Sequence, residues 1–106
     1  MDLKEAELRT LLDTTHSPVV VDCFATWCGP CRNYVPVFEK TAKKLKETAQ
    51  FVKIDIDECT QLVEDLNIDS VPSTIIFKNS KVIARKSGGM SERELEQFVV
   101  TSLGQQ

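Results

Sequence analysis

The sequence predicts an α/β domain: a central mixed sheet with helices on both faces. Three observations carry the prediction. Strand-like and helix-like stretches alternate from the first residues onward. The first two strands are separated by a long amphipathic stretch, and a right-handed helical crossover of that kind makes the strands it joins parallel. Two later strands are connected by Lys78-Asn79-Ser80-Lys81 alone, a link so tight that they must run antiparallel.

Each element has its own pattern. Leu3, Leu8, Leu11 and Leu12 share one helical face, predicting a first helix over Leu3 to Asp13. Val19 to Phe24 is apolar on both faces, as in a central strand covered on each side. A second helix is predicted from Cys31 to Thr48, with Val35, Phe38, Ala42 and Leu45 as its stripe and Lys40, Lys43, Lys44 and Lys46 in water. Pro36 removes one hydrogen bond inside it and is expected to kink it. Phe51 to Ile56 is a second β-prone run. Asp57 is placed to cap a short third helix bearing Leu62, Val63 and Leu66. Thr74 to Phe77 and Val82 to Arg85 form the hairpin. Ser91 with Glu94 is a capping box opening a last helix with Leu95, Phe98, Val99 and Leu103 buried and Gly104 at its end. No repeat or linker divides residues 1–106, which read as one domain.

Composition excludes several classes. A formal charge of -3 argues against a nucleic-acid footprint, which would be basic. No apolar run approaches the ~20 residues of a membrane span. Met1-Asp2-Leu3-Lys4-Glu5 has neither the basic nor the apolar region of a secretion signal, so the expected compartment is the cytoplasm. Stable structural disulfides are rare there, which makes a cysteine pair catalytic or metal-binding.

The chemistry centres on Trp27-Cys28-Gly29-Pro30-Cys31. The pair sits where a buried strand turns into a helix, so Cys28 meets the free N–H groups and positive dipole end of that helix, which favour a thiolate. A thiolate one turn from a second thiol is a reversible dithiol/disulfide switch. Half a zinc site is the rival reading, but it needs further paired ligands, and only Cys23, Cys59 and His16 remain, scattered along the chain. Cys23 reads as a small core residue, Cys59 as a surface or half-buried thiol, and His16 as a loop residue. Asp22 interrupts the first apolar run. It is either a strand end in solvent or a buried carboxylate with a raised pKa, placed to exchange protons with the switch. Lys53 reads as a solvated residue unless the two strands are neighbours, which would set it beside Asp22.

This order of elements around Trp27-Cys28-Gly29-Pro30-Cys31, together with Asp22, Pro36, Lys53, Val71-Pro72 and Gly88 at matching spacing, resembles the thioredoxin family over nearly the whole chain. The resemblance implies the thioredoxin fold, with four to five strands and four helices. Members open with an extra strand, and because only 21 residues precede Asp22, that strand is expected to be short or missing. Position by position, Cys28 resembles the exposed nucleophile and Cys31 the buried resolving thiol of a redox-active Cys28–Cys31 disulfide. Asp22 resembles the proton-transfer acid, and Lys53 its charged modulator. Pro72 resembles the proline that follows a cis peptide and faces the cysteines. Trp27, Pro30, Val71, Pro72, Gly88 and Gly89 would line a shallow docking surface, with Gly29 and Pro30 forming the motif turn.

The implied activity is protein disulfide reduction, and the uncharged Gly29 and Pro30 favour a reductant. Electrons would come from NADPH through the flavin (FAD) of a partner, thioredoxin reductase. No cofactor or metal is expected on this chain, which lacks a Gly-x-Gly-x-x-Gly motif. Implied substrates are disulfide-containing proteins such as peroxiredoxins or ribonucleotide reductase, with the chain a monomer touching neither nucleic acid nor membrane. The alternative role is a redox-sensitive binding subunit. Three departures from the family pattern stand out. Ser80 replaces the usual turn glycine and predicts a less regular turn. Tyr34 is bulkier than expected behind the active site. The companions of the extra cysteine Cys59 are replaced by Leu66 and Ser70, so no second internal disulfide is expected.

Overall fold

The computed structural model describes residues 1–104. Its elements, in order, are β1 (Asp2–Leu3), α1 (Glu5–Thr14), β2 (Val19–Phe24), α2 (Gly29–Lys44), β3 (Gln50–Asp55), a 3₁₀ turn (Ile56–Glu58), α3 (Thr60–Leu66), β4 (Ser73–Lys78), β5 (Lys81–Ser87) and α4 (Glu92–Gly104). One five-stranded sheet has the order β1-β3-β2-β4-β5. β1, β3 and β2 are mutually parallel, β4 runs antiparallel to β2, and β5 runs antiparallel to β4. The mixed sheet and four helices match the predicted class. The expected first strand exists as two residues, with Leu3 in β1 rather than in α1, which starts at Glu5.

The sheet has two buried faces because alternate residues of a strand point to opposite sides. Val19, Val21 and Cys23 of β2 join Val52, Ile54, Ile75 and Phe77 against Leu8, Leu12, Leu62 and Ile68. Val20 and Ile76 look the other way, into a layer holding Tyr34, Phe38 and Leu45 of the α2 region and Leu95 and Val99 of α4. Phe38 is edge-on to Phe51 at 5.4 Å between ring centres. The buried stripe of α2 is Cys31, Tyr34, Phe38 and Thr41, one position off the predicted Val35 and Ala42, which are half-buried. Helix α2 continues past Pro36, whose missing N–H leaves the Arg32 carbonyl without its usual intrahelical donor.

Local signals are realised with some changes of actor. Ser91 Oγ accepts the Glu94 N–H at 3.1 Å, and Glu94 Oε1 accepts the Ser91 N–H at 2.9 Å, closing the capping box of α4. Ser91→Ala should therefore cost about 1 kcal/mol, read as a lowered urea midpoint at unchanged slope. At the third helix it is Asp55, not Asp57, that caps, and it caps the 3₁₀ turn. The turn at Ser80 is regular, while the β4–β5 ladder shifts register between Ile76 and Phe77. Asn79 and Ser80 have φ of 53° and 66°, the paired left-handed conformation whose twist suits a two-residue hairpin. The Ser80 hydroxyl donates to the Leu12 carbonyl at 2.6 Å, holding in place a conformation that its Cβ disfavours.

Candidate active site

Strand β2 ends at Phe24, and Gly29 opens α2, so the cysteine pair lies at the carboxyl end of a central strand, where α/β sheets place their sites. Cys28 is the N-cap of α2. Its Sγ accepts the Cys31 N–H at 3.1 Å, so the helix terminus that favours a thiolate is aimed at this sulfur. Pro30 fits the first turn of a helix, where no N–H is needed. Cys28 and Cys31 are joined as a disulfide with Cα atoms 5.3 Å apart. The expectation of an exposed Cys28 needs correcting: it is only 5% exposed against 2% for Cys31, because it packs with Ala25, Cys31 and the half-buried Val71.

The loop before α2 is pinned from both sides. Trp27 stands 68% exposed, yet its indole N–H donates to Asp57 Oδ2 at 2.9 Å. Arg32 donates to the Thr26 carbonyl at 3.0 Å. Opposite the disulfide is the cis peptide Val71-Pro72, with the Val71 carbonyl oxygen 3.8 Å from Cys28 Sγ. Gly88 donates to the Pro72 carbonyl at 2.8 Å and has φ of +89°, which a side chain would strain. Gly89 lies nearby, and a Cβ added there would meet Pro72 and the Tyr34 ring at ordinary contact distance. Val71 thus packs against the disulfide, Pro72 ties it to Gly88 and Gly89, and the exposed Trp27 and Pro30 flank the cysteines in sequence.

Beneath the pair, Asp22 is fully buried and faces the α2 side of the sheet with Val20. No protein group donates to either carboxylate oxygen among the described residues. Burial pushes its pKa up to about 7, with the Lys53 charge opposing the rise and the Asp2 charge adding to it. Lys53 is its direct neighbour across β2–β3, half-buried rather than free in solvent. Its ammonium, however, is held by Glu39 at 3.2 Å and Asp2 at 3.5 Å. Burial works against the Lys53 charge, but those two carboxylates outweigh it and raise its pKa. A cleft of about 320 Å³ lined by Asp2, Phe24, Cys31, Arg32, Val35 and Lys53 opens beside the disulfide.

Sequence reasoning missed Asp57 as the anchor of Trp27 and the buried hydroxyl pair Tyr34–Thr74, whose oxygens are 2.9 Å apart. Both partnerships join residues distant in sequence and leave no local signal. Cys59 was expected near the surface but is fully buried. It is the residue before α3, and the 3₁₀ turn ahead of it directs it into the core beside Leu62 and Ile68. Burial pushes the Cys23 thiol up to about 12 and also raises that of Cys59. With the Cys28–Cys31 disulfide intact, iodoacetamide should therefore label neither thiol in native protein at pH 8 and both in denaturant, as counted by intact mass.

Among the described residues no cluster of three or more His, Cys, Asp or Glu is placed to hold a metal ion, and no helix is long and apolar enough to cross a membrane. Comparison with known proteins agrees with the geometry. Residues 1–101 match the family model for thioredoxin. The chain is 37% identical over 95 residues to thioredoxin of Mycoplasmoides gallisepticum, covering 90% of this chain and 93% of that one. It is 41% identical over 87 residues to thioredoxin-2 of Saccharomyces cerevisiae, covering 81% and 83%. It is 39% identical over 93 residues to the chloroplastic thioredoxin Y of Oryza sativa, covering 88% of this chain but only 55% of that one. The chain spans about half the length of that relative and of the two Arabidopsis thaliana Y-type proteins it also matches. The solved structure of chloroplastic thioredoxin z superposes with a TM-score of 0.86 at 25% identity, over 97% of this chain and 93% of that one. With its cysteine pair capping α2, a cis proline opposite and an acid buried beneath, the chain belongs to the thioredoxin family.

Proposed function

We propose that this chain is a general protein disulfide reductase acting by dithiol–disulfide exchange. The observation that carries the reading is the position of Cys28 Sγ: it receives the Cys31 N–H in the first turn of α2 and lies against the Val71 carbonyl. In the reduced protein the Cys28 thiolate attacks one sulfur of a partner disulfide. The partner's other sulfur leaves as a thiolate and takes up a proton. Cys31 then gives its proton toward Asp22, whose raised pKa suits proton exchange near neutrality. The Cys31 thiolate attacks Cys28 Sγ and expels the partner's remaining sulfur. The partner gains two electrons and two protons, and this chain ends as the Cys28–Cys31 disulfide.

Recharging needs two electrons from outside the chain. We assign that role to thioredoxin reductase drawing on NADPH, in the cytoplasm, with Trp27, Pro30, Val71, Gly88 and Gly89 as the docking surface for disulfide-bearing proteins. Lys53 modulates Asp22 through its charge. The test is insulin reduction with NADPH and thioredoxin reductase. NADPH oxidation that depends on both this protein and insulin is expected. If insulin stays oxidised with this reductase and also with dithiothreitol as electron donor, the reading fails.

A further inference from the structure

The sheet carries a polar row beneath the cysteines. Strand register sets Asp2 beside Lys53, Lys53 beside Asp22, Asp22 opposite Thr74, and Thr74 opposite Lys86. Residues directly opposite in neighbouring strands share a face, with Cβ atoms about 5 Å apart. One pair further along the same face, the corresponding positions are Val20 and Ile76, both apolar. At Asp22, therefore, this layer changes from hydrocarbon to a hydroxyl. Thr74 is fully buried, and its Oγ1 lies 2.9 Å from the hydroxyl of Tyr34, itself only 3% exposed.

Two hydroxyls that share one hydrogen bond hold two hydrogens, so one remains uncommitted. Meanwhile both Asp22 oxygens lack a protein donor. If Tyr34 donates to Thr74, the Thr74 hydrogen is free to turn toward the carboxylate through one bridging water, since no protein group reaches the Asp22 oxygens directly. The bond to Tyr34 polarises that hydrogen, and a hydrogen bond to an ionised acceptor is stronger than one to a neutral acid. The pair therefore favours ionised Asp22. The other groups facing this position are Lys53 from β3, Asp2 from β1 and, beyond Thr74, Lys86 from β5, and Cys31 of α2 lines the cleft that Lys53 and Asp2 also line. Glu39 of α2 is engaged by Lys53, and α4 offers Leu95 and Val99 to this layer.

The geometry points to Tyr34 and Thr74 as positioning residues of the exchange reaction: a buried hydroxyl pair that stabilises the Asp22 carboxylate and so sets the pH at which Cys31 can be deprotonated. This rests on the proton-transfer reading of Asp22 given above.

Two measurements test it on the full chain. The first follows the Asp22 carboxyl carbon by NMR through a pH titration, independently of activity. The second follows the rate at which Cys31 resolves a mixed disulfide on Cys28, also against pH. Thr74→Val keeps the shape and removes the hydroxyl, and it should move both midpoints up by about one pH unit. Tyr34→Phe removes only the ordering donor and should move them up by about half as much. Thr74→Ser should restore the wild-type profile. The proposal is overturned if Thr74→Val and Tyr34→Phe, both folded, leave the NMR midpoint in place, or if Thr74→Ser shifts it as far as valine does. An NMR shift with an unmoved kinetic profile overturns the link to Cys31. Absence of exchange in the wild type overturns the proposed function instead, and the NMR arm still reads the effect on Asp22.

Discussion

Cys28→Ser is expected to lose at least about 10³-fold in insulin reduction, because it removes the attacking sulfur itself. Cys31→Ser should lose turnover as severely but leave a different product. Its Cys28 still attacks, and with no second thiol to resolve the adduct, the mixed disulfide with the partner accumulates. Non-reducing electrophoresis with a disulfide-bearing partner should show a covalent adduct for Cys31→Ser and none for Cys28→Ser. The asymmetry follows from the cap of α2, where Cys28 Sγ receives the Cys31 N–H, and from the Val71 carbonyl that lies against the same sulfur. Equal adduct yields from the two variants would count against these separate roles.

Asp22→Asn should abolish a large pH dependence of stability. The carboxyl rises from its ordinary 3.8 to about 7 on folding, so the folded chain binds this proton over a range in which the unfolded chain has released it. Stability is then fully present below about pH 4 and declines as pH rises to about 7, by about 4 kcal/mol in all, with no further change above. Urea unfolding at pH 4, 6 and 8 measures it. The wild type should weaken across the series far more than Asp22→Asn, and parallel curves would refute the shift. The same variant should slow turnover at pH 7 by about 10- to 100-fold, as expected for a lost proton-transfer group. A side chain that costs stability at neutral pH while serving the reaction is a typical exchange of stability for function.

How much of this was legible beforehand depended on how local each cause is. The capping box of α4, the strand-to-helix turn at Cys28 and the apolar β2 are written in contiguous residues, and each is present. Asp22 could be read as buried because the run continues apolar past it through Cys23, Phe24 and Ala25. Strand β1 has no periodicity to read, since two residues cannot show one. The Tyr34–Thr74 bond spans 40 positions and depends on the β2–β4 register, which composition does not specify. Lys53 reads as solvated unless its strand pairs with that of Asp22, a pairing no local pattern announces, and where its ammonium settles is decided by Asp2 and Glu39, on two other elements. Cys59 reads as a surface or half-buried thiol when taken alone, yet it stands three, four and seven residues before Leu62, Val63 and Leu66 and so shares the apolar face of α3, which carries it into the core.

The brevity of β1 has a consequence for how the protein breathes. The Lys53 amide is held by the Met1 carbonyl at 2.8 Å, and β1 adds only two residues to the sheet. Releasing so short a strand requires little local unfolding, far less than opening β2, which is paired on both sides. The Lys53 amide should therefore exchange with deuterium much sooner than those of β2. Each such opening also carries away Asp2, whose negative charge helps keep Asp22 protonated. Strand β1 is in this sense a fluctuating like charge, and the acidity of the buried carboxyl is an average over its docked and undocked states.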